Sequence, residues 1–251
     1  MVVAESNAST MRSLDRAIDV LEVLEAAPHG LRLSEIARRS GLHVATAQRI
    51  LGALETRGRV EREDNRYRAG VGLLFGAHAF LTGSPLVLNA RPVLQDLAAE
   101  TGLASSVFVR TGTSRAVIAR VEGSNPLRYE LPVGERLPLH LGAGKVLAAY
   151  LPESLQQRVV DEAVPFVTAS GVEIDVEAWR EALVTIRARG YVVSEGERVI
   201  GARSVAAAVR LGDDVVAALQ VAGTTETFPE SRIEAWSAAV RNAASALSRR
   251  L

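Results

Sequence analysis

The stretch Leu33-Ser-Glu-Ile-Ala-Arg-Arg-Ser-Gly-Leu-His43-Val-Ala-Thr-Ala-Gln-Arg-Ile-Leu51 decides how the N-terminal part of the chain folds. Leu33-Ser34-Glu35-Ile36-Ala37 opens a short helix, with Ser34 as its candidate cap. Gly41 follows Ser40, and a glycine takes the left-handed conformation that ends a helix without a Cβ clash. A second helix runs over about 44–57, where Val44, Ala47, Leu51 and Leu54 recur at helical spacing and Gly58 stops it. Two helices joined by a turn of about three residues form a helix-turn-helix.

Working outward, Leu14, Ala17, Ile18, Leu21 and Leu24 predict a preceding helix. Ser13 is its expected cap, Asp15 suits its first turn, and Pro28 and Gly30 end it. Residues 1–10 are small and polar, with no apolar secretory core, and read as a disordered, frayed tail. On the other side, Arg59-Val-Glu-Arg62 and Arg66-Tyr-Arg68 flank the turn-prone Glu63-Asp-Asn65, which predicts a short hairpin. Three helices and a basic hairpin describe a winged helix-turn-helix over 11–70.

Such a module puts the N-terminal side chains of its second motif helix against base edges in the major groove. Here those are His43, Ala45, Thr46, Gln48 and Arg49. Gln48 can pair with adenine, Arg49 with guanine or a phosphate, and Thr46 with a phosphate oxygen or a thymine methyl. Arg66 and Arg68 can reach the backbone or the minor groove. Protein-interaction modules share the same three helices and hairpin, so spacing alone leaves both readings open.

The chain has 251 residues and carries 29 basic and 29 acidic ones, a balance that argues against a protein coated throughout by nucleic acid. Between residues 29 and 70, however, nine arginines face five acids, an excess that can meet phosphate. There is no cysteine and only four histidines are scattered along the chain, so disulfides, metal centres and cofactors are not expected. No apolar run approaches the ~18–20 residues of a membrane span, and the expected compartment is the cytoplasm. A single winged helix reads a short site, so a palindromic or repeated operator and a homodimer or dimer of dimers are expected.

Residues 71–81 are apolar and helical, and Gly83-Ser-Pro85 then breaks the chain. This linker segment (71–84) either packs on its own winged domain or joins subunits. The remainder, 85–251, alternates helices and strands: helices near 88–101, 142–151, 153–161, 176–189 and 229–249, and strands near 104–110, 115–122, 127–131, 191–194, 203–211 and 215–222. Short turns such as Thr111-Gly-Thr-Ser114 and Gly212-Asp213 imply an antiparallel sheet flanked by helices, an α+β domain. Gly142-Ala-Gly-Lys145 lacks the first glycine and the hydroxyl of a phosphate loop, and reads instead as a helix start that attracts an anion or as tight packing. His140 beside it can add a hydrogen bond or charge. No serine-hydrolase elbow or metal-protease motif occurs.

Met11-Arg-Ser-Leu-Asp-Arg-Ala-Ile-Asp-Val-Leu-Glu-Val-Leu24, Leu33-Ser-Glu-Ile-Ala37, Gly41-Leu42, Thr46-Ala-Gln-Arg-Ile-Leu51 and Tyr67-Arg-Ala-Gly70 resemble the start of IclR-family regulators. Leu139-His-Leu-Gly-Ala-Gly-Lys-Val-Leu-Ala148, Gly190-Tyr-Val-Val-Ser-Glu-Gly-Glu197, Gly201 and Val205-Ala-Ala-Ala-Val209 resemble its later motifs, in the same order. The chain departs from the pattern at Ala45, where the family usually has Ser, at Ala208 in place of Pro, and at Ser204 in place of a frequent Cys. The resemblance implies a GAF/PAS-like sensor domain, a linker helix that joins two subunits, and no enzyme activity. It also implies an effector pocket between the sheet and nearby loops, lined by Leu141, Gly142, Ala143, Ser194, Ser204, Gln220 and Ala222. The three polar side chains supply hydrogen bonds; Leu141 and Ala222 are apolar walls, and Lys145 is a candidate cation that can equally point outward. Five Phe, four Tyr and two Trp argue against an aromatic cage, so a small organic or modest aromatic acid is the expected effector. The expected function is a DNA-binding transcriptional regulator, a repressor before an activator; the alternatives are a small-molecule enzyme with an accessory interaction domain, and a scaffold.

Overall fold

The computed structural model describes residues 2–125, 131–163 and 166–251, with side chains described from residue 11 onward. The chain divides into two compact units, Met1–Thr82 and Gly83–Leu251.

The first unit packs around Val20, Leu24, Ala27, Leu31, Ile36, Leu51, Val60 and Tyr67. Helix α1 (Val2–Glu25) takes in most of the segment read as a tail, because no proline or glycine interrupts it. Ser13 therefore lies inside the helix and does not cap it. The buried face is also rotated from the expected one: Val20 and Leu24 are buried, whereas Leu14 and Ile18 are 57% and 46% exposed.

Strand β1 (Leu31–Arg32), which the sequence did not suggest, leads directly into α2 (Leu33–Arg39). Pairing of Arg32 with Arg66 goes with a helix cap two residues earlier than expected. The cap is thus Arg32, whose N–H donates to the Glu35 carboxylate at 2.9 Å, and Ser34 lies within the helix. Helix α3 (Val44–Thr56) is followed by β2 (Val60–Glu63) and β3 (Arg66–Ala69), and the three strands pair antiparallel with β3 central. Asp64 and Asn65 both have positive φ, as a two-residue type I′ turn requires. Helix α4 (Leu73–Gly83) buries no residue. No single helix among the described residues is long and apolar enough to cross a membrane.

The second unit begins with α5 (Pro85–Thr101) and ends with α9 (Ile233–Ser248). Between them run β4 (Ala104–Thr111), β5 (Ser114–Val121), β6 (Arg136–Pro138), α6 (Ala143–Ala148), α7 (Glu153–Glu162), α8 (Val176–Arg189), β7 (Tyr191–Glu195), β8 (Ala202–Leu211) and β9 (Asp214–Thr224). The strands form one antiparallel sheet in the order β6-β5-β4-β9-β8-β7. Side chains alternate faces along each strand. Val205, Ala207, Leu219 and Val221 pack toward α5 and α9 with Leu94, Leu97, Val240 and Leu247. Ala206 and Ala218 face the other way, packing with Val146, Leu147, Trp179 and Leu183 of α6 and α8. Val107 and Phe108, adjacent on β4, enter opposite cores by the ordinary alternation of a strand, and opposite them Ile118 is the extra residue of a bulge in β5.

The strand expected at 127–131 falls on residues outside the described ones. Instead β6 forms the sheet edge. Its three residues end in Pro138, too short for a periodic signal and tolerable only at an edge, where proline's missing N–H breaks no ladder bond.

Candidate functional site

Two surfaces concentrate the polar chemistry. On the first unit, the turn between α2 and α3 is held by hydrogen bonds from Ser40 N–H to Ile36 O (2.9 Å) and Leu42 N–H to Ala37 O (2.8 Å), with Gly41 at φ +65°. This fixes where α3 begins. Ala47 and Leu51, one turn apart, anchor its inner face in the core. The outer face consequently presents His43, Ala45, Gln48 and Arg49 to solvent, with Thr46 half-exposed. Among the described residues, Gln48 and Arg49 have no hydrogen-bond or ionic partner. On the wing the arginines are engaged: Arg66 Nη1 donates to Gly30 O at 2.8 Å, and Arg68 pairs with Glu61 (3.3 Å) and Glu63 (2.8 Å).

In the second unit, register builds a polar row across the sheet. Ser194 pairs with Ser204, Ser204 with Ala222, and Gln220 lies two residues along β9 on the same face. These four and Gly142 line one small cavity of about 30 Å³, together with Arg115, Phe108, Leu137 and residues of the β7–β8 connection. Ser194 Oγ is buried without a hydrogen-bond partner. Five of the seven residues expected at the effector pocket thus converge. Leu141 and Ala143 do not line it: both are buried, Leu141 accepting a hydrogen bond from Arg115 through its carbonyl and Ala143 packing into the α6–α8 core.

The start of α6 also differs from expectation. Gly142 has φ +53°, ψ −130°, a conformation for glycine. Gly144 is there for space: a Cβ would stand 2.3 Å from Arg115 Nη1 and from Leu139 O. The anion at this point is the protein's own. Glu197 accepts the Gly142 N–H at 2.8 Å and pairs through its other oxygen with Lys145. Lys145 is accordingly turned inward and buried, because its charge is neutralised within the fold. His140 is a packing residue: its ring lies 4.7 Å from that of Phe166, and it is held below the usual histidine pKa chiefly by burial. Burial thus favours its neutral form, and it does not line the cavity.

Sequence reading missed Arg115 and Glu197. Arg115 is 2% exposed, donates to Pro138 O at 3.0 Å and to Leu141 O, and stacks over Phe108 at 5.1 Å. No local signal marks it; its place comes from β5 pairing. Glu197 was quoted within a motif, but its role depends on a turn folding back over a glycine 55 residues upstream. Among the described residues no group of acidic, histidine or cysteine side chains could hold a metal.

Comparison with known proteins follows the same division. The model of the IclR helix-turn-helix domain matches residues 13–64, and that of the bacterial transcriptional regulator IclR C-terminal domain matches residues 78–249. The chain is 35% identical over 243 residues to the HTH-type transcriptional regulator BhcR of Paracoccus denitrificans, covering 95% of this chain and 86% of that one. It is 26% identical over 244 residues to the transcriptional repressor IclR of Escherichia coli, covering 93% and 88%. It also matches the crystal structure of an IclR homologue complexed with 4-hydroxybenzoate from Microbacterium hydrocarbonoxydans, with TM-score 0.74, 25% identity, and coverage of 95% and 98%.

Proposed function

We propose, because this chain belongs to the IclR family of bacterial transcriptional regulators, that it is a cytoplasmic repressor released from or held on its operator by a small carboxylic acid. Regulation of transcription through an N-terminal helix-turn-helix and a C-terminal effector-binding domain is the family's activity, and catalysis is not. In this reading residues 11–70 form the DNA-binding domain, 71–84 the linker and 85–251 the sensor.

On the DNA side, His43, Ala45, Thr46, Gln48 and Arg49 enter the major groove, and Arg66 and Arg68 exchange their internal partners for phosphate. Ala45 supplies no hydroxyl, so Thr46 carries that contact alone. Dimers assemble through α4, which leaves Leu74 and Phe75 64% and 70% exposed; an apolar surface of that kind marks an interface. A palindromic or repeated operator then matches the two-fold dimer, and sensor domains pair dimers into tetramers. A monomer by light scattering at micromolar concentration, with and without operator, would refute the assembly.

The observation that carries the sensor reading is the buried, unpartnered Ser194 Oγ on the wall of a cavity that also holds Gly142, Ser204 and Gln220. Ser105, Tyr150 and Ser237 also carry buried hydroxyls without partners, but of the four Ser194 is the one that lines this cavity, where a ligand satisfies it. The relative bound to 4-hydroxybenzoate supports a small aromatic or organic acid. The test is calorimetry against a panel of small carboxylic acids with wild type and Ser204→Val, joined to footprinting on genome-selected operator DNA. Equal binding by both proteins, or ligands that leave operator affinity unchanged, would overturn this pocket.

A further inference from the structure

Glu197 sits on the donors that an acid would seek. It lies on the connection between β7 and β8, and its two carboxylate oxygens take the Gly142 N–H at 2.8 Å and the Lys145 ammonium. The Lys145 and Glu197 side chains are 11% and 21% exposed, so the pair is largely shielded from water. Glu197 also forms part of the cavity wall beside Ser194, whose residue is 94% buried and whose hydroxyl has no partner. With Glu197 in place the cavity measures only about 30 Å³. One water needs roughly 10–15 Å³ of such space, so the cavity holds about two waters and no ring acid.

We propose that Glu197 is a built-in stand-in for the effector's carboxylate, and that effector and Glu197 compete for Gly142 and Lys145. This rests on the reading of the cavity as the effector site and adds how the site selects and responds. A carboxylate that replaces Glu197 leaves Lys145 neutralised and lets Glu197 move to solvent, where its charge is hydrated. A neutral ligand of the same shape that expels Glu197 strands a buried ammonium, which the low-dielectric interior penalises heavily. Competition therefore sets the ligand class: carboxylates enter, and amides, esters and alcohols do not. It also supplies the moving part. The Glu197 carbonyl accepts the Ala169 N–H at 2.7 Å, tying this connection to a turn whose Phe166 packs on His140 and Trp179. Displacing Glu197 loosens that tie, so binding has a differential interaction with two arrangements of the domain, as any ligand switch needs.

The experiment is calorimetry on the full chain with acetate, 4-hydroxybenzoate and their neutral amides, acetamide and 4-hydroxybenzamide. Wild type, Glu197→Gln and Glu197→Ala are compared, with folding checked by circular dichroism. The expected result is at least tenfold tighter binding of a carboxylate to both variants than to wild type, with no gain for the amides. If a carboxylate binds wild type and variants equally, or the variants more weakly, the competition is refuted while the effector cavity stands. If no probe binds any of the three proteins, the cavity assignment fails with it.

Discussion

The outer face of α3 and the wall of the sensor cavity are both rich in polar side chains, but they hold them in opposite ways. On α3, Gln48 and Arg49 stand in solvent, engaged with no other part of the described chain. On the wing, Arg68 is paired with Glu61 and Glu63, all three side chains being 42–64% exposed. Such pairs contribute only about 0–1 kcal/mol, so a phosphate can take the arginine over at little cost. At the cavity, Arg115 and Glu197, with Lys145 behind Glu197, are committed to partners inside the fold, at 2–21% exposure. Exchange there demands a replacement of equal charge. If the proposed roles hold, the DNA-facing surface holds its groups free or in weak pairs, and the cavity holds its groups in buried ones.

The largest expected effect breaks the buried arrangement. Lys145→Met leaves Glu197 without its counter-charge and should destabilise the second unit by about 2–3 kcal/mol, less than a fully buried pair because some solvent remains. Urea unfolding measures it, and adding Glu197→Gln should recover most of the loss. Stability unchanged in the single variant would show that the cavity pair is no more costly to break than the wing pairs.

On the exposed side, Arg49→Ala should weaken specific operator binding, and Gln48→Ala should relax preference at one base pair, each by roughly 1–3 kcal/mol. Neither should alter the unfolding midpoint. Gel-shift titrations against single-base operator variants separate the two roles. Parent-like binding by both would mean that α3 does not lie in the groove as drawn.

A smaller effect comes from pH. Burial holds His140 below its ordinary value of 6.5, with the Arg115 charge in the same direction and the Val167 and Glu197 contacts opposing. Because the folded state binds the proton less readily than the unfolded chain, its stabilising contribution is complete above pH 6.5. It is lost as pH falls from 6.5 toward the lowered value, with a slope of at most about 1.4 kcal/mol per pH unit for one proton. Melting curves of wild type and His140→Asn between pH 7.5 and 5 should converge as pH falls, and parallel curves would remove His140 as the cause.

Smallest of all, Glu63→Gln on the wing should change stability by less than about 1 kcal/mol. It should raise operator affinity slightly at low salt and not at high salt, where exposed charges are screened. A large stability loss would erase the contrast between wing and cavity.

Local signals carried much of this fold because several elements write their limits in their own residues. Asp175 caps α8 by accepting the Ala178 N–H at 2.7 Å, and Gly190 ends it at φ +77°, as helical periodicity over 176–189 already implied. Alternation along β9 puts Gln220 and Ala222 on one face, but Ser204, Gln220 and Ala222 were expected together only from the family resemblance, and their meeting rests on the β8–β9 register. What periodicity missed was orientation and edges. Of the residues expected on one buried face, Leu24 is covered and Leu21 packs on the core, but Leu14 and Ile18 are exposed while Val20, outside that set, is buried, since a spacing does not state where the neighbouring helices sit.

Sequence by itself determined the winged helix with Gly41 at its turn, the antiparallel sensor sheet and the family to which both belong. Each follows from short-range rules: glycine's backbone freedom, side-chain periods of 3.6 and 2, and ordered motifs. The tertiary structure alone decided that Arg115 from β5 reaches the row made by β7, β8 and β9, that Lys145 turns inward, and that Glu197 closes over Gly142. These are meetings between residues about 50 to 100 positions apart. They are set by strand register and by the need to neutralise charge taken out of water, and no local stretch of sequence expresses either condition.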